Sequence, residues 1–233
     1  MINVTVWNEN AHEQAGEIKA VYPDGIHGCI AGFLSKNPDF QVKTATLDMP
    51  EQGLPAELLD STDVLIWWGH RRHSDVYDGL AARIVARVQA GMGSVFLHSS
   101  HLSKPFLKLM GTTGSLLWNV EESIHERLWT INPSHPITRG VGECVFLEHE
   151  EMYGEWFDIP TPDEQIFIGW FSTGHVFRSG NIWNRGRGKV FYFQPGHESY
   201  PIYHNPEVQK ILTNAVGYVA PQGRRVAPVC VKV

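Results

Sequence analysis

Apolar and polar positions follow two different periods along the first half of the chain. Short apolar or alternating runs predict strands at residues 3–7, 42–47, 64–68 and 94–97. Between them, apolar residues recur with helical spacing over residues 25–36, 78–90 and 103–110. The run at 64–68 is apolar throughout, which is typical of a parallel strand covered on both faces. Strands that alternate with helices in this way predict a doubly wound α/β sheet with right-handed connections.

The second half of the chain is richer in strands, and prolines interrupt it. Strand-like runs lie at residues 126–131, 144–148, 166–171, 175–178 and 189–193. A final amphipathic helix is predicted over residues 206–219. Because no repeat and no internal linker interrupts the pattern, we expect a single domain over residues 1–220, followed by a C-terminal extension over residues 221–233.

Four of the apolar runs end in histidine, serine or glutamate. The polar ends are Gly69-His70, His98-Ser99-Ser100-His101, Glu148-His149-Glu150-Glu151 and Gly196-His197-Glu198. In open α/β sheets, ligands bind outside the carboxyl ends of the strands. We therefore expect these side chains to share one pocket, and so many acids and bases favour an enzyme over a simple binding module.

Composition and charge argue against some classes of binding partner. The formal net charge is −6, which gives no electrostatic reason to expect nucleic acid or an anionic membrane as a partner. No apolar run approaches the length of a membrane span, and no basic leader follows Met1. The three cysteines are widely spaced and form no Cys-x-x-Cys motif, which suits a reducing compartment. A cytoplasmic protein is the expectation.

The segment after the strand at 94–97 has the layout of a nucleophile elbow. Ser99 and Ser100 stand between a strand and a helix, although neither lies in a Gly-x-Ser-x-Gly frame. His98 or His101 could serve as the adjacent base that a serine nucleophile needs. Alternatively, the serines cap the following helix. We expect His98 to be catalytic and the two serines to bind substrate.

Two further segments carry candidate acid–base groups. Alternation from Leu147 predicts that Glu148 and Glu150 share one face and that His149 and Glu151 share the other, and it leaves open which pair points inward. A partly desolvated carboxylate among others would have a raised pKa, which suits general acid–base work. Together with His98, the expected catalytic residues are listed as Glu150, Glu151, Tyr153 and His197.

Histidines crowd the same edge of the predicted sheet, so a divalent metal such as Zn²⁺ is a second hypothesis. Neutral imidazoles and a carboxylate are suitable ligands, and candidates from His27, His70, His98, His101, Glu150 and His197 could supply three or four of them. The expected set is His27, His98, His101 and His197, although no His-Glu-x-x-His or other tight metal spacing is present.

Aromatic side chains near the strand ends point to a carbohydrate. Trp7 and Trp68, beside Asn8 and His70, could pack flat against a sugar ring while their polar neighbours bind hydroxyls. We expect these four residues to contact substrate. No Gly-x-Gly-x-x-Gly motif follows the first strand, so no nucleotide cofactor is expected.

At these positions the sequence resembles the ThuA family of trehalose-utilisation proteins. The stretches that carry the resemblance are residues 4–9 with 22–27, 63–70, 91–112 and 186–198, and Glu150-Glu151-Met152-Tyr153 is similar to the family's Asp-Glu-Leu-Tyr signature. The resemblance spans residues 2–220. It implies a class I glutamine amidotransferase-like, flavodoxin-type fold with three α/β/α layers and a mostly parallel sheet, and a role in using trehalose or related disaccharides or 3-keto sugars.

Glutaminase chemistry needs a thiolate at the elbow, and the elbow here holds no cysteine. The expected activity is therefore acid–base or metal-assisted conversion of a small carbohydrate. A non-catalytic sugar-binding regulator, or a scaffold that only assembles with partners, is the alternative. The tail and the abundance of tryptophan also favour a homo-oligomer.

Overall fold

Eleven strands and six α-helices form the regular structure of the described residues, 1–14 and 16–223, of this computed structural model. The strands are β1 (Ile2–Asn8), β2 (Phe40–Thr46), β3 (Val64–Trp68), β4 (Gly93–Leu97), β5 (Leu117–Asn119), β6 (Glu126–Thr130), β7 (Cys144–Leu147), β8 (Met152–Gly154), β9 (Glu164–Phe171), β10 (Val176–Arg185) and β11 (Gly188–Phe193). The helices are α1 (Gly16–Val21), α2 (Gly25–Leu34), α3 (Ala56–Ser61), α4 (Asp78–Gln89), α5 (Lys104–Met110) and α6 (Pro206–Val219).

Nine strands form one mixed sheet in the order β2-β1-β3-β4-β11-β10-β9-β6-β7. Parallel pairing joins the first five strands of this order. Antiparallel pairing joins the rest, and β5 and β8 form a separate two-stranded sheet. The predicted α/β class is confirmed; the parallel part joins the four strands of the alternating first half to β11, which comes from the second half.

Helices cover both faces of the parallel half, which explains why β3 is apolar at every position. Val64, Ile66 and Trp68 pack into the core that includes α2 and α6. Leu65 and Trp67 face the opposite core, which includes α4 and α5. Burial on both faces fixes this strand at the centre of the sheet.

The hydrophobic pattern missed several short or polar elements. It did not predict α1, α3, β5 or β8, each of which has six residues or fewer. The run at 175–178 belongs to the much longer β10, whose interior buries the polar residues Ser179 and Asn181 and contains a register irregularity. Such a strand does not alternate cleanly between apolar and polar positions.

Two further predictions concern the C-terminal extension and membrane-spanning helices. The expected C-terminal extension lies outside them beyond Gly223. None of the helices described is long and apolar enough to cross a membrane.

The strand order creates a topological switch point between β1 and β3, where the connections change from one side of β1 to the other. The connection after β1 leads to β2 on one side, whereas β3, β4 and β11 extend the sheet on the other. The carboxyl ends of β1 and β3 therefore open a crevice at their outer edge, as in other doubly wound sheets. The end of β4 lies beside it.

The antiparallel half of the sheet contains a buried carboxyl group, that of Glu126. Glu126 on β6 is fully buried, and Ser179 donates a hydrogen bond to it over 3.2 Å. A Cβ atom at Gly169, on the intervening strand β9, would overlap both side chains, so the glycine makes the contact possible. Burial raises the pKa of Glu126 to about 8, and the Ser179 hydrogen bond opposes this rise only in part.

We predict that Glu126→Gln stabilises the protein in alkaline solution. A raised folded-state pKa means that the folded state holds a proton that the unfolded state has released above about pH 4.5, so stability falls as pH rises towards 8. The full effect is at most about 5 kcal/mol. Denaturant titrations at pH 5 and pH 9 should show the gain of Glu126→Gln over the parent growing with pH. The exposed-site control Glu143→Gln should show no such growth, and an equal gain at both pH values would refute the assignment.

Candidate active site

His98 occupies the sharp turn at the end of β4. It adopts a positive φ of 51°, a left-handed conformation that non-glycine residues seldom adopt and that is often found at functional sites. The turn residue is thus His98 itself and not one of the serines that follow it. Neither described cysteine lies here, because Cys29 is on α2 and Cys144 is on β7.

The ring of His98 links the end of β11 to a buried carboxylate. Its Nδ1 lies 2.9 Å from the carbonyl oxygen of Gln194, which can only accept, so Nδ1 carries the proton. Its Nε2 lies 2.9 Å from Oε2 of Glu151. A second proton on the ring would turn this contact into an ion pair, so the two residues are placed to act as an acid–base pair.

Glu151 is almost completely buried, and burial alone would raise its pKa. The contact with His98, and the nearby His197 and His70, outweigh burial and hold the pKa of Glu151 below its usual range. The carboxylate is therefore ionised near neutral pH, the state that a general base requires.

Two hydroxyl groups lie beside this pair. The Tyr153 ring stacks on His98 at 5.1 Å between centroids, and its hydroxyl lies 2.9 Å from that of Ser99. Burial and the neighbouring Glu151 raise the pKa of Tyr153 well above its usual value, so the phenol keeps its proton. One of these two hydroxyls donates to the other, and the remaining proton can be donated to a substrate oxygen.

Ser100 has a structural role in place of the expected substrate contact. Its hydroxyl donates to the carbonyl of Trp67 and accepts from the amide of Gly69, at 3.0 and 3.1 Å. The side chain is fully buried, and these two bonds hold the ends of β3 and β4 together.

Glu150 also lies behind the site and not in it. Its carboxylate accepts hydrogen bonds from the amides of Gly196, His197 and Glu151, at 2.8, 3.2 and 2.8 Å. Burial raises its pKa well above the usual range, although the three amides oppose this. The predicted alternation is wrong, since Glu150 and Glu151 both point inward while Glu148 is exposed: β7 ends at Leu147, and the chain then turns.

A second cluster of acids and histidines lies next to the first. Glu198 accepts from Nδ1 of His12 on one oxygen and from Nδ1 of His70 on the other, both at 3.0 Å. Burial would raise the pKa of Glu198, but these two histidines and His197 hold it far below its usual range. The rings of His12 and His70 stack at 4.8 Å between centroids.

His197 lies between the two clusters. Its Nδ1 accepts a hydrogen bond from the amide of Ser199, so the neutral ring carries its proton on Nε2, which lies 3.9 Å from Glu198. Burial and the neighbouring His98 lower the pKa of His197 to about 4. The residue is therefore a neutral hydrogen-bond donor.

An open cleft of about 330 Å³ lies over these groups. The residues that line it are His70, Ser99, His101, Leu102, Ser115, Leu116, Trp118, Glu151 and Tyr153. Trp118, on β5, is 63% exposed and presents the one tryptophan ring among these lining residues. A polar floor beneath an exposed aromatic side chain suits a carbohydrate.

Only some of the residues expected to bind the sugar line this cleft. His70 and Ser99 line it, whereas Trp7 and Trp68 are buried to within 1%. Trp7 stacks on Trp67 in the core, and Trp68 donates to the carbonyl of Gly196. Both corrections have the same cause: in a parallel sheet with helices on both faces, neither side of β1 or β3 is free.

In the described structure, the four histidines of the expected metal set are not grouped closely enough to bind one ion. His27 and the fully buried Asn8 contact each other and lie with Glu13 beside α2. His101 donates from Nδ1 to the carbonyl of Gly114, and burial lowers its pKa to about 3. Within residues 1–14 and 16–223, the group of ligand atoms close enough for one ion is that of His12, His70 and Glu198.

Sequence reasoning missed His12 and Trp118 as site residues. His12 lies in a short 3₁₀ helix after β1, and Trp118 in the three-residue strand β5, so neither follows a long apolar run. For His12, the position soon after the first strand was the available signal, because the search covered the ends of β3, β4, β7 and β11 and not the end of β1.

The fold and the elbow together define the class. This is an α/β protein with the class I glutamine amidotransferase-like fold, and the turn after β4 holds His98 and no cysteine. The chain belongs to the ThuA family, described as trehalose utilisation, whose model matches residues 3–219. The predicted family is thereby confirmed.

Solved structures agree with this assignment. The chain is similar to a ThuA-like protein from Parabacteroides merdae, with a TM-score of 0.70 and 15% identity over 98% of this chain and 92% of that chain. A ThuA-like protein from Bacteroides uniformis gives 0.65 and 16%, over 94% and 91%. A glutamine amidotransferase from Thermotoga maritima gives 0.55 and 10%, over 94% and 97%. At such identities these likenesses concern the fold alone. A comparison with curated proteins returned no match.

Proposed function

We propose that the protein is an enzyme that converts a disaccharide of the trehalose type, or its 3-keto derivative, by acid–base chemistry in the cleft beside Trp118. The observation that carries the proposal is the His98–Glu151 pair, in which Glu151 lines the cleft and His98 lies buried behind it, with Nε2 and Oε2 2.9 Å apart. A binding protein has no need for a buried, ionised carboxylate held against a histidine in a strained turn. Membership of the ThuA family supports a sugar as the substrate.

A ketone on the sugar would give this pair a suitable step. Glu151 removes the proton on the carbon next to the ketone, and the electron pair of that C–H bond forms an enediolate. The hydrogen-bonded pair of hydroxyls on Tyr153 and Ser99 has one proton free to donate to the developing oxyanion. In isomerisation, the proton returns to the former carbonyl carbon while the hydroxyl proton of the deprotonated carbon passes to the former carbonyl oxygen. In elimination, the electron pair instead forms a C=C bond as the C–O bond to the glycosidic oxygen breaks, and that oxygen takes up the proton.

A panel of disaccharides and their 3-keto derivatives tests this proposal. The wild-type protein should convert at least one 3-keto disaccharide, with the products followed by NMR, and leave the corresponding parent disaccharide unchanged. Binding of the whole panel without conversion of any member would instead support the alternative, a sugar-binding regulator.

Trp118→Ala should weaken sugar binding and leave the chemical step nearly intact. The exposed indole offers a flat apolar face at the edge of the cleft, and aromatic contacts of this kind contribute about 1 kcal/mol or more. We expect KM to rise about 5–20-fold with little change in kcat. Steady-state kinetics would show this, with the more exposed Trp156, which does not line the cleft, as the control site in Trp156→Ala. A fall in kcat with unchanged KM would contradict the assigned role.

A further inference from the structure

We propose that His12, His70 and Glu198 form a binding site for one divalent transition-metal ion of the zinc type. The three residues come from different parts of the chain: a 3₁₀ helix after β1, the loop after β3 and the loop after β11. One ligand atom from each lies within 4.8 Å of the others. Two imidazole nitrogens and a carboxylate oxygen are donors that Zn²⁺ and its neighbours in the first transition row bind well.

The spacing of the donor atoms is close to what an ion needs. Each histidine Nδ1 lies 3.0 Å from a different oxygen of Glu198. Two donors bound to Zn²⁺ at its usual bond lengths in tetrahedral geometry are about 3.3 Å apart. All three ligand atoms lie within 4.8 Å of one another, so a rearrangement of these side chains alone would admit the ion, which would replace the protons on the two Nδ1 atoms.

The local charge also favours a cation. Glu9, Glu13, Glu151 and Glu198 are all buried at this edge of the sheet. In the part of the chain that the structure describes, Glu151 and Glu198 form ion pairs with histidines and none with lysine or arginine. Among the described residues, Glu9 accepts from the amides of Arg71 and Arg72. Buried carboxylates require compensation, and a divalent ion supplies more of it than neutral imidazoles do.

Access to the site comes from the cleft. The side chains of His12 and Glu198 are 6% and 5% exposed, whereas that of His70 is 27% exposed and lines the cleft. Three protein ligands with an open side are typical of catalytic and not of structural zinc sites. An ion held here could polarise an oxygen of a bound sugar; that last step rests on the proposed function, whereas the site itself does not.

His197 is excluded from the ligand set by its own hydrogen bond. Because Nδ1 accepts from the amide of Ser199, the proton of the neutral ring is on Nε2, the nitrogen that faces Glu198. His197 thus presents a protonated nitrogen 3.9 Å from Glu198, beside the ligand set and not within it.

Calorimetric titration of metal-free protein with ZnCl₂ tests the inference without any sugar. We expect one Zn²⁺ per chain, and we expect His12→Ala and Glu198→Gln each to weaken binding by more than about 100-fold, since loss of outer-shell partners alone costs 10–100-fold. His27→Asn, which removes a histidine outside the cluster, should bind as the wild type does. Circular dichroism without metal would confirm that each variant is folded.

Two further measurements decide the matter if a buried-site variant does not fold. His70→Asn changes the partly exposed ligand and should also lose Zn²⁺, and Co²⁺ added to the wild type should give visible absorption bands that His70→Asn lacks. Wild-type protein that binds no stoichiometric metal, or variants that bind as tightly as wild type, would overturn the inference. Metal binding without sugar turnover would uphold it and refute only the proposed function.

Discussion

Glu151→Gln should reduce kcat on a 3-keto disaccharide by about 10³-fold, within the range that a positioned general base contributes. Glutamine keeps the size of the side chain but cannot take up a proton at neutral pH. Because the change removes an interaction used in the transition state and not in binding, KM or the dissociation constant of the sugar should change little. Steady-state kinetics and calorimetric sugar binding on the same preparation measure the two effects separately.

The matched control for this prediction is Glu148→Gln. Glu148 lies three residues earlier in the same loop but is exposed, so its replacement should leave turnover within about a factor of two of wild type. His98→Asn should cause a loss similar to that of Glu151→Gln, and the double variant should lose little more, since residues that act as a unit are not additive. Independent, multiplying losses would show that the two residues do not act as a pair.

Glu150→Ala should lower the free energy of unfolding by about 1–3 kcal/mol or more, since a buried hydrogen-bonding group left without its partner costs about that much. The carboxylate accepts from three amides, two of which belong to the loop that carries His197 and Glu198. Alanine leaves those buried N–H groups without an acceptor and creates a cavity. Urea or guanidinium titrations measure the loss, with exposed Glu148→Ala as the control.

This second prediction separates a positioning residue from a catalytic one. If Glu150 acts through the loop, destabilisation and loss of turnover should appear together, and Glu150→Gln, which keeps one acceptor oxygen, should recover part of both. A Glu150→Ala protein as stable as wild type but inactive would instead place Glu150 among the groups that touch the substrate, as the sequence analysis expected.

The sequence predicted the central sheet well because its strands are buried on both faces. A run such as Val64–Trp68 has no alternative to the middle of a parallel sheet, and the strand bounds of β3 were predicted to the residue. The same argument led to the edge where His98, Glu151, His197 and Glu198 meet, since polar residues at parallel strand ends converge at one edge of the sheet.

The direction in which each side chain points at that edge depends on contacts with distant parts of the chain, which a local sequence pattern does not show. Glu150 and Glu151 both point inward because the chain turns after β7, and period-two alternation no longer applies there. Trp7 and Trp68 have polar neighbours in sequence, yet their own positions on central strands bury them. Trp118 and His12 belong to short elements whose place is set by packing against distant parts of the chain.

Hydrogen exchange at the carbon next to the ketone tests the central claim most directly, because removal of that proton is common to isomerisation and elimination. A 3-keto disaccharide incubated with the protein in D₂O should incorporate deuterium at that carbon, as followed by NMR, and Glu151→Gln should bind the sugar without promoting exchange. A wild-type protein that binds the sugar and promotes no exchange, or a Glu151→Gln variant that exchanges as fast as wild type, would contradict an acid–base role for the His98–Glu151 pair.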